Sequence, residues 1–190
     1  MEERKIPTTR QLKEELLHER KKKEYRRTLR STVYILLVVA AVSVLVATLF
    51  LPVLQVTGTS MEPTLETGQI VVAVKNAEFE RGDVIAFYYN NKVLLKRVIG
   101  LPGDKIVINA DGNVSVNGEA LEEPYLSEKS LGQTDIEYPY QVPDGKIFVM
   151  GDHRATSVDS RTSAVGCIAD EFIVGKVVFR VWPTNRFGEV

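Results

Sequence analysis

The feature that most limits what this chain can fold into is a long stretch without any charged side chain. No Asp, Glu, Lys or Arg lies between Arg30 and Glu62, and the centre of the stretch, residues 32–51, is dominated by Val, Leu, Ile and Ala. About 20 apolar residues are what an α-helix needs to cross a bilayer. A buried helix of a soluble domain rarely has this length without a charge, and the apolar region of a cleaved signal peptide is shorter. The sequence therefore predicts one transmembrane helix over residues 32–52, ended by Pro52.

Charge is distributed unevenly on the two sides of this stretch. Residues 1–31 contain eleven Lys/Arg and six Asp/Glu, a net +5, and the remaining thirteen Lys/Arg and nineteen Asp/Glu give −6, which together make the total of −1. Basic residues mark the cytoplasmic side of a membrane helix. We therefore expect a single-pass protein of the cell membrane, with a cytoplasmic basic tail at residues 1–31 and an extracytoplasmic domain at residues 53–190. The lipid bilayer is an expected partner, and nucleic acid is not.

The domain at residues 53–190 has the sequence pattern of β structure. Short β-branched segments alternate with turn signals such as Asp111-Gly112 and Asn117-Gly118. The predicted strands are residues 69–75, 83–89, 93–99, 105–108, 114–116, 146–150 and 174–182, with a further apolar segment near 53–56. The pattern predicts a mainly β fold, an antiparallel sheet or partial barrel behind the N-terminal transmembrane helix. Residues 119–142 are acidic and punctuated by prolines. The insertion to which they belong, at about residues 107–142, is expected at the periphery of the β domain.

A short loop at the start of this domain contains the first candidate for chemistry. It reads Thr-Gly-Thr-Ser-Met-Glu-Pro-Thr-Leu over residues 57–65. Gly58 can take a positive φ and Pro63 fixes its own φ, so Ser60 lies on a bent, stiff segment that suits a nucleophile. A turn with a chance serine is the alternative, because Gly-x-Ser is a short motif. The Gly-x-Ser-x-Gly elbow is excluded because Glu62 stands where it needs its second glycine, and the Ser-x-x-Lys motif is excluded because Pro63 stands where it needs lysine.

A base for Ser60 must come from elsewhere in the chain, and Lys96 is the candidate. It lies within the apolar segment at residues 93–99, where two aliphatic neighbours share its face of a strand. Desolvation by such neighbours would lower the lysine pKa from ~10.4 toward neutrality and make it a general base. The alternative is a lysine on the exposed face of a half-buried strand. Lys75 and Lys92 lie closer to strand ends and are expected to be solvated.

The polar segment at residues 151–161, which follows an apolar strand, is the third candidate. In an extended conformation Ser157, Asp159 and Arg161 point the same way. Asp159 and an arginine could form a charge-assisted pair that stiffens the loop, and Ser157 could hydrogen-bond a neutral lysine amine. A solvated surface loop is the alternative.

Three segments in this order resemble the conserved boxes of bacterial type I signal peptidases. They are Ser-Met-Glu-Pro-Thr-Leu at 60–65, Lys-Arg-Val-Ile-Gly-Leu-Pro-Gly-Asp at 96–104 and Gly-Asp-x-Arg…Ser-x-Asp-Ser-Arg at 151–161. The resemblance covers about residues 32–182. It implies a membrane-anchored serine endopeptidase with a Ser/Lys dyad on a mostly β fold, which needs no metal or other cofactor. Its substrates would be exported preproteins, cleaved after a small residue of an Ala-x-Ala-like signal peptide.

The resemblance also assigns roles to individual residues. By this match Ser60 is the nucleophile and Lys96 is the general base. The supporting residues would be Ser157, which positions the lysine, and the ion-pair residues Arg97, Asp159 and Arg161.

The sequence departs from the family pattern at three positions. Some relatives have a serine hydroxyl two residues before the nucleophile as an oxyanion donor, where this chain has Gly58, so the backbone N–H of Ser60 would carry more of that stabilisation. His153 and Ala155 stand where an asparagine and an aspartate are common. Relatives from the eukaryotic endoplasmic reticulum have a histidine in place of the lysine, so Lys96 favours the bacterial type. The short insertion is more similar to that of Gram-positive members.

Other functions stay open on the sequence alone. Cys167, the only cysteine, would act with His153 and Arg161 in a sortase-like thiol transpeptidase, although the surrounding Val-Gly-Cys-Ile does not resemble a reactive-cysteine loop. A non-enzymatic anchored module that binds exported chains would need none of these groups. A soluble self-cleaving repressor with a similar dyad does not fit the transmembrane span. Of the two histidines, only His153 could serve a Ser-His-Asp triad, since His18 lies in the basic tail.

Overall fold

The structure, a computed structural model, describes residues 9–190. Its residue contacts divide the chain into two compact units, of which one ends at Thr48 and the other spans Leu49–Val190.

One helix dominates the N-terminal unit. Helix α1 runs without interruption over Thr9–Phe50, so the basic residues from Arg10 to Arg30 and residues 32–50 of the predicted transmembrane segment belong to one helix. Residues 1–8 of the predicted tail lie outside the described residues. The side chains of residues 12–51 are all exposed. An 18-residue window of this helix has a mean hydropathy of 2.8. A helix so apolar and so exposed is not the core helix of a soluble domain, and its length suffices for a membrane span.

Twelve strands follow α1 in the described part of the chain, and every pairing between them is antiparallel. They are β1 (Val53–Gln55), β2 (Ile70–Val74), β3 (Val84–Tyr89), β4 (Lys92–Gly100), β5 (Lys105–Ile108), β6 (Val114–Val116), β7 (Glu119–Ala120), β8 (Tyr140–Gln141), β9 (Lys146–Met150), β10 (Ile168–Ala169), β11 (Ile173–Trp182) and β12 (Gly188–Glu189). Two short 3₁₀ helices, Asp170–Phe172 and Thr184–Arg186, flank β11.

Eight of the strands form one sheet in the order β1-β2-β11-β3-β4-β9-β10, with β12 paired to β11. Strands β1 and β10 lie at its two ends, so within residues 9–190 the sheet stays open and does not close into a barrel. Four consecutive residues of β3 are buried, which suits a strand flanked by β11 and β4 and covered on both faces.

The other four strands form a small second sheet in the order β7-β6-β5-β8. Strands β6, β7 and β8 lie within the predicted insertion, and β5 overlaps its start. Ile106 and Val116 of this sheet lie in the same buried cluster as Phe148 and Met150 of β9. The insertion therefore packs on β9, the strand that leads into residues 151–161. It lies closer to the candidate site than an insertion at the periphery of the domain would.

The predicted fold class, a mainly antiparallel β domain behind one N-terminal apolar helix, is confirmed. Each of the seven strands predicted with bounds is present within one residue of those bounds. The strands that the sequence did not predict are β7, β8, β10 and β12, which have two residues each. Two residues have no periodicity, so the pairing of these strands depends on tertiary contacts alone.

Candidate active site

Ser60 lies in the turn that follows β1, and two apolar residues of its motif hold this turn against the core. Met61 is 2% exposed and Leu65 is fully buried. The Leu65 N–H donates to the Met61 carbonyl at 2.8 Å. Gly58 has a φ of +83°, a conformation that glycine adopts without strain. Because both sides of the turn are fixed, Ser60 is held in a defined position.

Lys96 lies on β4 and contacts Ser60. Its side chain is almost completely buried, with 3% of the residue exposed. The Lys96 Nζ atom lies 2.6 Å from Ser60 Oγ, within hydrogen-bonding distance. The structure thus brings together the two residues that the sequence analysis selected from segments 36 positions apart.

Burial lowers the pKa of Lys96 from 10.5 to about 8. The negative charge of Asp159 opposes this shift, Arg161 adds to it, and Asp152 opposes it in turn. Desolvation outweighs these charges because it is the largest contribution. A lysine with such a pKa is neutral in a substantial fraction of molecules near physiological pH and can then accept a proton.

Ser157 is buried next to the loop of Ser60, but it does not make the hydrogen bond that the sequence analysis expected. Its Oγ has no hydrogen-bond partner among the described residues, whereas Lys96 Nζ contacts Ser60. A Cβ at Gly151 would collide with both Ser157 Oγ and the Ser60 carbonyl oxygen. Glycine at 151 is therefore what allows Ser157 and the backbone of Ser60 to approach each other.

Asp159 and Arg161 form the expected ion pair, and both side chains are completely buried. Arg161 donates from Nε and Nη2 to the two carboxylate oxygens of Asp159, each at 2.8 Å. Its remaining N–H groups donate to three backbone carbonyls, those of Leu131, Arg154 and Ser157. All five N–H donors of the guanidinium group are thus used, as burial of this charge requires. The Gly151 N–H also donates to Asp159, which fixes the start of the loop to its end.

Arg97 forms a second buried ion pair, with Asp152. Its Nε and Nη2 donate to the carboxylate oxygens of Asp152 at 2.9 and 2.6 Å. The Thr64 hydroxyl donates to the same carboxylate at 2.5 Å. Asp152 therefore links the strand of Lys96 to the loop of Ser60. Arg97 belongs to the predicted ion-pair cluster, whereas Asp152 and Thr64 had no predicted role although both lie within the three boxes.

Glu123 and Arg154 form a third buried ion pair that the sequence analysis missed, with both side chains inaccessible to solvent. Arg154 stands in the third quoted box, whereas Glu123 is one of several acidic residues in the insertion. No local pattern distinguishes Glu123, because its partner lies 31 residues further along the chain.

Two grooves flank the Ser60–Lys96 pair. One, of about 300 Å³, lies between residues 55–61 and residues 92–95. The other, of about 390 Å³, is lined by Ser60, Lys96 and apolar side chains that include Leu94 and Val158. A peptide chain in these grooves would lie within reach of Ser60.

The backbone around Ser60 has a free donor. No acceptor for the Ser60 N–H is found among residues 9–190. The Gly58 carbonyl accepts a hydrogen bond from the Thr67 hydroxyl at 2.9 Å, and the space beyond the Gly58 Cα is open. The Ser60 N–H therefore remains available as a hydrogen-bond donor.

Cys167 lacks the surroundings of a reactive thiol. Burial raises its pKa, and its Sγ contacts the Tyr140 hydroxyl at 3.8 Å rather than His153 or Arg161. Nucleophilic cysteines have a lowered pKa, so the geometry disfavours the thiol transpeptidase. The His153 ring instead contacts the Thr156 hydroxyl at 2.9 Å. In the part of the chain that the structure describes, no group of three His, Cys, Asp or Glu residues could hold a metal ion.

These are the features of a membrane-anchored serine hydrolase: a β domain that follows one apolar helix, and a buried lysine in contact with a serine on a rigid turn. The family model described as "Signal peptidase, peptidase S26" matches residues 27–182. The chain therefore belongs to the S26 family of signal peptidases. Membership makes it a type I signal peptidase, a serine endopeptidase that cleaves signal peptides, and the apolar part of α1 is its membrane anchor.

The chain is similar to several curated signal peptidases. It is 40% identical over 151 residues to signal peptidase IB of Staphylococcus aureus strain COL, with 68% of this chain and 77% of that protein covered. It is 39% identical over 153 residues to signal peptidase I of Bacillus licheniformis, with 74% and 81% covered. A crystal structure of a signal peptidase I from Enterococcus faecalis is 30% identical, with a TM-score of 0.46, and covers 53% of this chain and 97% of that one.

Proposed function

We propose that Ser60 and Lys96 are the catalytic dyad of this signal peptidase. The observation that carries the proposal is the 2.6 Å contact between Lys96 Nζ and Ser60 Oγ at a lysine that burial partly neutralises. A charged lysine at this distance could only donate to the serine. A neutral one can accept the hydroxyl proton and activate the oxygen as a nucleophile.

The reaction follows from this geometry in two stages. Neutral Lys96 accepts the Ser60 proton as Oγ attacks the carbonyl carbon of the scissile bond, and the resulting oxyanion accepts hydrogen bonds from backbone N–H groups, that of Ser60 in particular. The protonated lysine then gives its proton to the departing amine, which leaves an ester on Ser60. Lys96 next takes a proton from water, the hydroxide oxygen attacks the ester, and Ser60 Oγ leaves and regains a proton.

The substrate would bind as an extended strand along the two grooves at Ser60. Strand β1 is an end strand of the sheet, so the backbone groups of one of its edges are available to a peptide. The grooves at residues 55–61 and 92–95 would then accept alternate side chains of the signal peptide. Their modest volumes suit the small residues of an Ala-x-Ala-like pattern, and the substrates are exported preproteins that carry it.

We propose the following membrane topology. Residues 1–31 are a cytoplasmic tail, residues 32–52 cross the cell membrane, and residues 53–190 form the peptidase domain outside the cytoplasm. The proposal is supported by the seven Lys and Arg residues between Arg20 and Arg30, on one side of the apolar segment only. Enzyme and signal peptide are then confined to the same interface, which raises their effective concentration.

The dyad is tested by preprotein cleavage with the full-length protein in detergent. Ser60→Ala and Lys96→Ala are expected to fold and to lose at least about 10³-fold in kcat, since the first lacks the nucleophile and the second lacks the base. Lys75→Ala, which changes an exposed lysine outside the site, is the matched control and should retain full activity. Cleavage by Ser60→Ala would refute the dyad and make Cys167→Ala the next variant. Binding without cleavage by the unaltered protein would favour the anchored binding module.

A further inference from the structure

The insertion reaches the ion pairs near the dyad through two side chains, Glu123 and Tyr125, which we call the strap. Arg154 Nη2 donates to Glu123 Oε1 at 2.5 Å, and the Tyr125 hydroxyl donates to the same oxygen at 3.1 Å. The Tyr125 ring lies over the guanidinium group of Arg97, with 3.9 Å from Cζ to the ring centroid, which is a cation–π geometry. Burial and the charge of Glu123 raise the pKa of Tyr125, so its hydroxyl stays a donor.

The contact of Tyr125 with Arg97 acts on β4, the strand that carries the proposed base Lys96. Arg97 follows Lys96 directly on β4 and is 6% exposed. Its guanidinium group is held from the edge by Asp152 and from the face by Tyr125. Arg97 also donates to the Gly82 carbonyl and to the Thr64 hydroxyl. Loss of the Tyr125 ring would leave these bonds in place but open one face of the guanidinium group to water, which weakens its hold on Asp152.

The contact of Glu123 with Arg154 acts on the loop of the proposed nucleophile Ser60. Arg154 Nε donates to the Gly151 carbonyl at 3.1 Å, while its Nη2 is held by Glu123. The neighbouring His153 N–H donates to the Ser60 carbonyl at 3.1 Å. The position of the Ser60 backbone therefore depends on a segment, residues 151–154, that Glu123 holds through Arg154.

We propose that Glu123 and Tyr125 are positioning residues of the peptidase, which fix Ser60 and Lys96 relative to each other through Arg154 and Arg97. This inference rests on the proposed dyad. It gives the insertion a role in the chemical step and not only in folding. Neither strap residue lines the two grooves at Ser60, so the strap acts on the reacting groups without touching the substrate.

The test is the steady-state cleavage of a preprotein by full-length variants in detergent. Tyr125→Leu removes the ring over Arg97 and is expected to lower kcat by about tenfold or more, since small displacements of reacting groups slow catalysis strongly. KM should stay within about twofold, because the substrate grooves are intact. Tyr125→Phe keeps the ring and loses only the hydroxyl, so it should recover most of the lost kcat.

The matched control is Tyr140→Leu. Tyr140 lies in the same insertion, its ring packs against Phe148 with centroids 5.7 Å apart, and its hydroxyl contacts Cys167 Sγ at 3.8 Å. This variant should lose stability but keep the wild-type kcat. If Tyr125→Leu does not fold, Glu123→Gln, which preserves shape and removes the charge that holds Arg154, should show the same loss of kcat at unchanged KM.

Three results would overturn the positioning role. They are a wild-type kcat in both strap variants, a rise in KM without a loss of kcat, and an equal loss of kcat in Tyr140→Leu. In each of these cases Ser60→Ala would still be inactive in the same assay, so the dyad would stand while the strap would not. Activity of Ser60→Ala would refute the dyad and the strap inference together.

Discussion

A lysine that is only 3% exposed, as Lys96 is, opposes folding whenever it carries a charge. Its neighbours do not remove this cost, since Asp159 and Asp152 favour the ammonium form while Arg161 disfavours it. The three acidic residues Asp152, Asp159 and Glu123 are each already paired with an arginine. Lys96 is thus the buried cation without a dedicated carboxylate among the described residues near the site. Its pKa is lowered by burial, and the nearby carboxylates do not offset this desolvation.

The lowered pKa predicts that Lys96→Met stabilises the protein while it removes activity. The difference between 10.5 and about 8 corresponds, at about 1.4 kcal/mol per pH unit, to on the order of 3 kcal/mol. Below about pH 8 the lysine is charged in both the folded and the unfolded chain, so the full cost is present. Between about pH 8 and 10.5 only the unfolded chain binds the proton, so the stability of the wild type rises with pH and the gain from the substitution shrinks.

Thermal unfolding of the full-length variants in detergent, at pH 7 and at pH 10, measures this gain. Lys75→Met is the control, since Lys75 is exposed and its replacement should change little at either pH. An equal effect of Lys96→Met at both pH values would contradict the assignment of the cost to the buried charge.

Among the elements, those with a local signal could be predicted and those that depend on distant partners could not. Strand β4 was predictable from its β-branched and aliphatic residues, and Lys96 was recognisable as an anomaly within it. The Ser60 turn was recognisable from Gly58 and Pro63, because both restrict the backbone in ways that the sequence reveals.

The links between elements were less accessible to sequence analysis. The pair Asp159–Arg161 was predictable because the two residues are close in sequence. Glu123–Arg154 and the stacking of Tyr125 on Arg97 join segments about 30 residues apart, and an acidic residue in an acidic insertion carries no signal of its partner. The expected hydrogen bond from Ser157 to the lysine is absent, because Lys96 Nζ is directed at Ser60 Oγ and Ser157 Oγ is left without a partner among the described residues.

At the scale of the whole molecule, the anchor and the β domain have different tasks. Helix α1 spans Thr9–Phe50, and about 20 of its residues are enough to cross the hydrocarbon core. The remaining turns carry the basic residues of the tail. The apolar segment keeps the enzyme at the membrane where signal peptides are found. In the proposed topology, the basic tail sets the orientation and the domain after Val53 performs the reaction.

The proposed orientation predicts the accessibility of cysteines introduced on the two sides of the membrane. In a Cys167→Ser background, a cysteine in place of the exposed Glu119 should react with a membrane-impermeant maleimide on intact cells whose surface is accessible. A cysteine in place of Lys13 should react only after permeabilisation, because the basic tail is expected in the cytoplasm. Labelling of Lys13→Cys on intact cells, with Glu119→Cys protected, would reverse the topology.

The central claim, that neutral Lys96 activates Ser60, is tested most directly by the pH dependence of preprotein cleavage. With the full-length enzyme in detergent, kcat/KM should rise with pH in proportion to the deprotonated fraction of Lys96 and level off above a midpoint near pH 8. A rate that does not change between about pH 6 and 10 would contradict the account, and so would a midpoint near 6.5, where an unperturbed histidine titrates. The base would then be a group other than Lys96.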